Sequence, residues 1–198
     1  MKLINTLTFI AVLIFTTGCA LTTESIDIPY NLIQGVSKIS GADHIAVVVT
    51  VNDNRPDKTR ISNRVNEFDV EKAPFVTNQT VDFTIRHAVE QELKIRGFNV
   101  AQKSPVEIEI DISRFFNNYK ANFYSSIAMS NFQIDVIVKF NSTKQIFHRQ
   151  ISTQGIEVSS FMTAENASLA LSQALKNGIE TLFGDSAFIS ALLSSKNQ

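Results

Sequence analysis

One cysteine, no tryptophan, seven glycines and no excess of basic residues set the first limits on this 198-residue chain. A lone cysteine closes no disulfide within the chain, so an exported domain of this sequence has to rest on its hydrophobic core. Seven glycines are few for phosphate-cradling loops. No Gly-x-Ser-x-Gly elbow, P-loop or dinucleotide fingerprint occurs. Lys and Arg number 18 against 19 Asp and Glu, a formal charge of −1. That leaves no basic stripe for nucleic acid. No apolar run reaches the roughly 20 residues of a confident membrane span. His44, His87 and His148 stand on a strand start, a helix and a strand without metal-ligand spacing, so neither a metal site nor a cofactor is expected. What the chain does have is phenylalanine, fifteen of them, which suits a core without tryptophan.

The first eighteen residues have the layout of an export signal. Lys2 supplies the positive start, Leu3 to Phe15 the apolar stretch, and Thr16-Thr17-Gly18 the small residues ahead of Cys19. The segment Thr16-Thr17-Gly18-Cys19 resembles the lipobox of bacterial lipoproteins, with Thr16 a mild departure from the usual aliphatic residue. The resemblance implies that Cys19 becomes the acylated N-terminus. One acyl chain binds a membrane only marginally, and several make an anchor. Ala20, rather than an Asp, follows the cysteine, and the resemblance then implies the periplasmic face of the outer membrane of a Gram-negative bacterium. The domain reading is a cleaved signal at 1–18, a lipidated N-terminus and tether at 19–40, and one periplasmic domain at 41–198. Cleavage leaves 180 residues and, with Lys2 gone, a charge of −2. That length suits one domain with a sizeable core.

Residues 19–40 mix Thr, Ser, Gly35 and Pro29 with the alternating Ile26, Ile28 and Tyr30, which would fit an edge strand or a docked extended segment. His44 to Val51 reads as a covered strand that stops at the turn Asn52-Asp53-Asn54-Arg55-Pro56-Asp57. Arg60 to Val65 could form a short strand, and Glu71 to Asn78, with Pro74 inside it, reads as loop. A helix follows to about Arg96, with Val81, Ile85, Ala88, Val89 and Leu93 on one face, and Gly97 caps it. Glu92 falls inside that apolar arc. Val106, Ile108, Ile110 and Ile112 alternate with Glu107, Glu109, Asp111 and Ser113, a half-buried strand. A second long strand spans Phe123 to Phe140, where a change of parity predicts a bulge near Ser130-Asn131. A strand from Gln145 to about Val158 returns. Thr163 caps a helix that ends at Phe183, and Asp185 caps a short terminal helix. The order β-α-β-β-β-α predicts an α+β two-layer sandwich, with a mainly antiparallel sheet and two long amphipathic helices on one face.

Two surfaces are candidates for recognition. One is the polar loop with Asp53, Arg55 and Arg60, at a strand end where functional groups often sit. The other is the row Glu107, Glu109, Asp111. Same-face neighbours on a strand are about 7 Å apart, too wide for one compact cation shell, so the row reads as a solvated or partner-facing surface relieved by Lys139 or Arg149. Paired catalytic carboxylates cannot be located, and the chain is not expected to be an enzyme.

The lipobox, a valine-rich strand running into Val51-Asn52-Asp53-Asn54-Arg55-Pro56-Asp57-Lys58-Thr59, and a helix closed by Arg96-Gly97-Phe98 together resemble the YajG-like family of uncharacterised bacterial lipoproteins. Asp53 and Arg55 occupy that family's Asp-x-Arg positions. The resemblance implies a lipid-anchored, periplasm-facing protein and supplies no activity. The expected role is a non-enzymatic binding or scaffolding domain, with the membrane and an envelope protein or peptidoglycan as partners and no nucleic acid. The alternative is an accessory lipoprotein of an envelope transport or lipid-trafficking complex.

Overall fold

A computed structural model describes residues 23–65, 71–121 and 124–194. Cys19 and the expected signal lie outside them. The elements are β1 (Glu24–Ile26), β2 (Ala46–Asp53), β3 (Arg60–Val65), β4 (Glu71–Thr77), α1 (Val81–Ile95), β5 (Asn99–Val100), β6 (Val106–Ala121), β7 (Ser126–Phe140), β8 (Lys144–Ser159), α2 (Ala164–Phe183) and α3 (Ser186–Ser194). They form a mixed α+β structure, with a large and mostly antiparallel sheet and three helices.

Strand β6 organises the sheet. One side pairs antiparallel with β7, which pairs antiparallel with β8. On the other side its first half runs parallel to β2, from Val48 opposite Glu107 to Asp53 opposite Ile112. Its second half meets β3 at Ser62 opposite Asn117. Strand β4 is antiparallel to β3, and β1 is parallel to β4. The short β5 joins the outer side of β2.

The observed order departs from β-α-β-β-β-α. Two strands, β3 and β4, stand between the first long strand and α1. Glu71 to Thr77 is a strand, not a loop. Pro74 stands opposite Asn63 of β3, and the pairing of β4 with β1 begins only at Phe75. The parity change sits elsewhere too. It falls in β6 between Ile112 and Arg114, while β7 keeps one parity throughout. Even residues of β6 point into the core up to Ile112; beyond the bulge Phe115, Asn117 and Tyr119 do so. In β7 the inward residues are the small Ser126, Ala128 and Ser130, and the more apolar Ile127 and Met129 face outward. Hydrophobicity alone points the wrong way there; the inward Ser130 hydroxyl donates to the buried Asn117 side chain at 3.0 Å.

The core is filled by aliphatic residues of β2, β6 and β7 and by the buried rings of Phe75, Phe115, Phe132 and Phe188. Phe115 and Phe132 meet edge to face, with centroids 5.2 Å apart. Helix α2 lies very close to the sheet. A Cβ on Gly155 would come within 2.0 Å of the Ala170 carbonyl oxygen, and one on Gly178 within 2.5 Å of the Phe132 ring. The small-residue stripe of α2, with Ala167, Ala170, Ala174 and Gly178 all buried, permits this approach. Thr163 caps the helix by accepting from the Asn166 amide at 3.2 Å. Gly97 closes α1 at φ 96°, a conformation that favours glycine.

Within the segment expected as a tether, the packed part of the domain begins at β1. Ile26 is buried, and Ile28, Tyr30, Ile33 and Ile39 pack against the core. The Ile39 amide donates to the Arg96 carbonyl at 2.9 Å.

Candidate functional site

The loop after β2 is held from within. Arg55 is 5% exposed. Its Nε and Nη2 grip the two oxygens of Asp53 at 2.9 and 2.8 Å. Its remaining donors reach the carbonyl oxygens of Lys58, Arg60 and Phe115 at 3.1, 3.3 and 3.1 Å. Guanidinium geometry makes this fork possible. Burial acts to raise the Asp53 carboxyl, but the Arg55 hydrogen bonds outweigh it and hold the group below the ordinary carboxylate range. The Asp53-x-Arg55 element therefore pins the β2–β3 connection onto β6. Asp57 forms the exposed outer part of the loop. It accepts from Arg60 Nε at 2.6 Å and from the Thr59 hydroxyl at 2.7 Å, which hold its carboxyl well below the usual range.

The acidic row lies on the sheet face opposite the helices, each member partnered across the strands. Lys139 binds Glu109, and that contact raises the lysine above its ordinary value. The Thr50 hydroxyl donates to Glu107 at 3.0 Å and Asn52 Nδ2 to Asp111 at 2.9 Å. Asp111 stands directly opposite Asp135, which contacts His148 Nε2 at 2.6 Å. Arg149 does not relieve the row. It is on the helix side and binds Asp185 at 2.8 Å. An open polar depression on this face is lined by Asn54, Asp111, Ser113, Gln133, Asp135 and Gln150. The two candidate regions thus meet at Asn54, between the β2–β3 loop and the acidic strand. Among the described residues no group of three or more His, Cys, Asp or Glu is arranged to hold a metal.

The acid that the sequence places inside the apolar arc of α1 builds a third charged cluster. Glu92 is fully buried and pairs with Arg96 one turn on. It also accepts from the Tyr30 hydroxyl at 2.7 Å and the Ile33 amide at 2.9 Å. Burial, then the bond to Glu92, pushes the Tyr30 phenol far above its ordinary value. The Arg96 guanidinium lies over the Phe183 ring at 4.4 Å. The cluster ties the N-terminal segment to α1 and α2. The signal was available in the sequence: an acid inside the apolar arc of a helix, with an arginine four residues later on the same face.

The outer face changes character toward the β6–β7 hairpin. There Lys120 is opposite Ile127 and Ile127 opposite Val158, while Asn118 is opposite Met129 and Met129 opposite Ile156. Ile156 and Val158 are exposed, and so are Tyr124 and Phe161 at the adjacent strand ends.

A family model described as an uncharacterized lipoprotein matches residues 34–192. A comparison with curated proteins returns no match. Among solved structures, protein XCC0632 from Xanthomonas campestris superposes with a TM-score of 0.60 at 15% identity, over 87% of this chain and 98% of that one. The hypothetical protein CT253 from Chlamydia trachomatis gives 0.44 at 7% identity, over 76% and 96%. A minor lipoprotein from Acinetobacter baumannii gives 0.37 at 8%, over 77% and 93%. At such identities the first shows a shared fold alone, and the other two carry no argument.

Proposed function

The chain belongs to this YajG family of uncharacterised lipoproteins, and from that premise we propose that it is a non-enzymatic domain, anchored through Cys19 to the outer membrane, that presents its outer sheet face to a partner in the periplasm. The observation that carries the reading is the half-buried row Glu107, Glu109, Asp111 on the central strand, flanked by Asp135 and the open polar depression. Side chains held by cross-strand partners on a rigid sheet form a preorganised polar surface, which lowers the ordering cost of association. In this reading Arg60 and Asp57 form the exposed rim, and Asp53 and Arg55 shape the loop from beneath.

Photo-crosslinking in intact cells from Gln150 and Ser113, at the edges of the depression, tests this. The expected result is one discrete crosslinked envelope component that is lost when Glu107, Glu109 and Asp111 are replaced together by Gln, Gln and Asn. Crosslinks unaffected by that replacement would overturn the assignment of the surface. Recovery of a stoichiometric membrane complex would shift the reading to an accessory subunit of a transport or lipid-trafficking assembly. The anchor is tested separately: Cys19→Ser is expected to release the protein into the soluble periplasm.

A further inference from the structure

Besides the lipid on Cys19, we propose that the domain touches the bilayer itself through one apolar corner, formed by Tyr124, Ile127, Met129, Ile156, Val158 and Phe161. The inference rests on the anchored reading above and adds to it an orientation and a second contact.

Register fixes which end of the molecule faces the membrane. A single row of paired residues crosses the sheet from Glu24 through Phe75, Ser62, Asn117 and Ser130 to Gly155. Strand β1 runs antiparallel to β6, so its N-terminal end and the β6–β7 hairpin lie at the same end of the sheet. From the row, β6 continues four residues to Ala121, about 13 Å at strand rise. Cys19 is five residues before Glu24, which even a fully extended chain covers in at most about 18 Å. At full extension those five residues reach at most about 5 Å beyond the end of β6, so a bilayer that holds the acylated Cys19 on this side comes up against that end of the sheet.

What stands at that end suits a bilayer rather than water. Tyr124 is 87% exposed, Phe161 76% and Val158 61%. Ile127 and Met129 adjoin Val158 and Ile156 across the β7–β8 ladder. Aromatic rings with an amphipathic edge settle at the level of lipid headgroups, and exposed contiguous apolar surface marks an interaction site. The neighbouring exposed charges are few and mixed, Lys120 against Glu165. The contact is thus apolar rather than electrostatic and has little dependence on salt or on anionic lipid.

Full-length lipidated protein provides the test, since an acylated Cys19 leaves any introduced thiol as the one to label. Tyr124→Cys and Phe161→Cys, and Thr143→Cys at the opposite end of β7, are labelled with an environment-sensitive dye and reconstituted in phosphatidylethanolamine–phosphatidylglycerol vesicles containing a doxyl-lipid quencher. Labels at Tyr124 and Phe161 are expected to be quenched at least about twofold more than the Thr143 label, equally at low and high salt, as for residues at headgroup depth. Adding Ile156→Ser and Val158→Ser should bring the Phe161 ratio towards one. Equal quenching at both ends in protein that stays on the vesicles would overturn this proposal alone. So would concentration-dependent self-quenching at Tyr124, which would report a second copy on this corner. A Cys19 that itself takes the dye, in protein that does not float with vesicles, would overturn the anchor and this contact together.

Discussion

The charges inside this domain and those along its outer sheet face are used in opposite ways. At Glu92–Arg96 both charges are buried, and at Asp53–Arg55 the guanidinium is buried against a partly buried carboxylate. Along Glu107, Glu109 and Asp111 the partners are single neighbouring side chains, and the carboxylates still reach solvent. Buried pairs contribute little net stability over apolar residues of the same shape, yet breaking one strands its partner. Their value is positional: one pair fixes the β2–β3 loop, the other the N-terminal segment. Solvent-reaching partners of this kind are weaker and partly screened, so replacing the half-buried outer row is expected to leave the fold intact. The comparison separates residues that make the surface from residues that are the surface.

The largest effect is expected from Glu92→Ala. It leaves Arg96 buried and strips Tyr30 and the Ile33 amide of their acceptor, so the loss should be about 3–5 kcal/mol in chemical denaturation. A double change, Glu92→Leu with Arg96→Met, should recover much of it. If it does not, the cluster contributes more than position. Arg55→Lys comes next, at about 1–3 kcal/mol, because an ammonium cannot replace the fork that holds Asp53 and three carbonyl oxygens. Asp53 adds a pH signature. Its depressed carboxyl contributes stability above the ordinary carboxylate range, which is lost as pH falls below about 4, and Arg55→Lys should weaken that acid dependence.

Smaller again is Tyr30→Phe, about 0.5–1.5 kcal/mol for one lost hydrogen bond. Because the Tyr30 phenol is raised on folding, its contribution is fully present below about pH 10 and declines at higher pH. The alkaline loss, followed by amide exchange in residues 24–39, should disappear in the Phe variant. The smallest effect on stability is expected from Glu109→Gln. Its melting midpoint should match the parent, while crosslinking from the depression falls. A large drop in stability there would erase the distinction between the two regions.

Much of the architecture was legible because it rests on periodicity and caps. The alternation in Val106 to Ile112, the apolar face from Val81 to Leu93, Thr163 as a cap and Gly97 as a stop are local signals, and the structure realises each one. What was hidden depends on distant neighbours. Pro74 argues against a strand until the short reach of β1 is known. Ile127 and Met129 look like core until the register shows that Ser130 shares the inward face with Phe132 and bonds to Asn117 of β6. At the candidate site, the acidic row and its Lys139 partner could be read from strand alternation, but the destination of Arg149 could not. Arg55 read as a candidate contact because the sequence shows a polar loop, whereas the carbonyl oxygens that receive its donors belong partly to β6.

One sheet edge is covered by a helix rather than by a strand. Strand β8 is sixteen residues long and, among the described residues, pairs with a strand on one side only. On its other side Gln173 accepts from the Ile156 amide at 2.9 Å, and Asn177 donates to the Gln154 carbonyl at 2.8 Å. An open edge of that length is a template for adding strands. Two amide side chains of α2 thus take up the outward groups of Gln154 and Ile156, which are then not available to an added strand at that point of the edge.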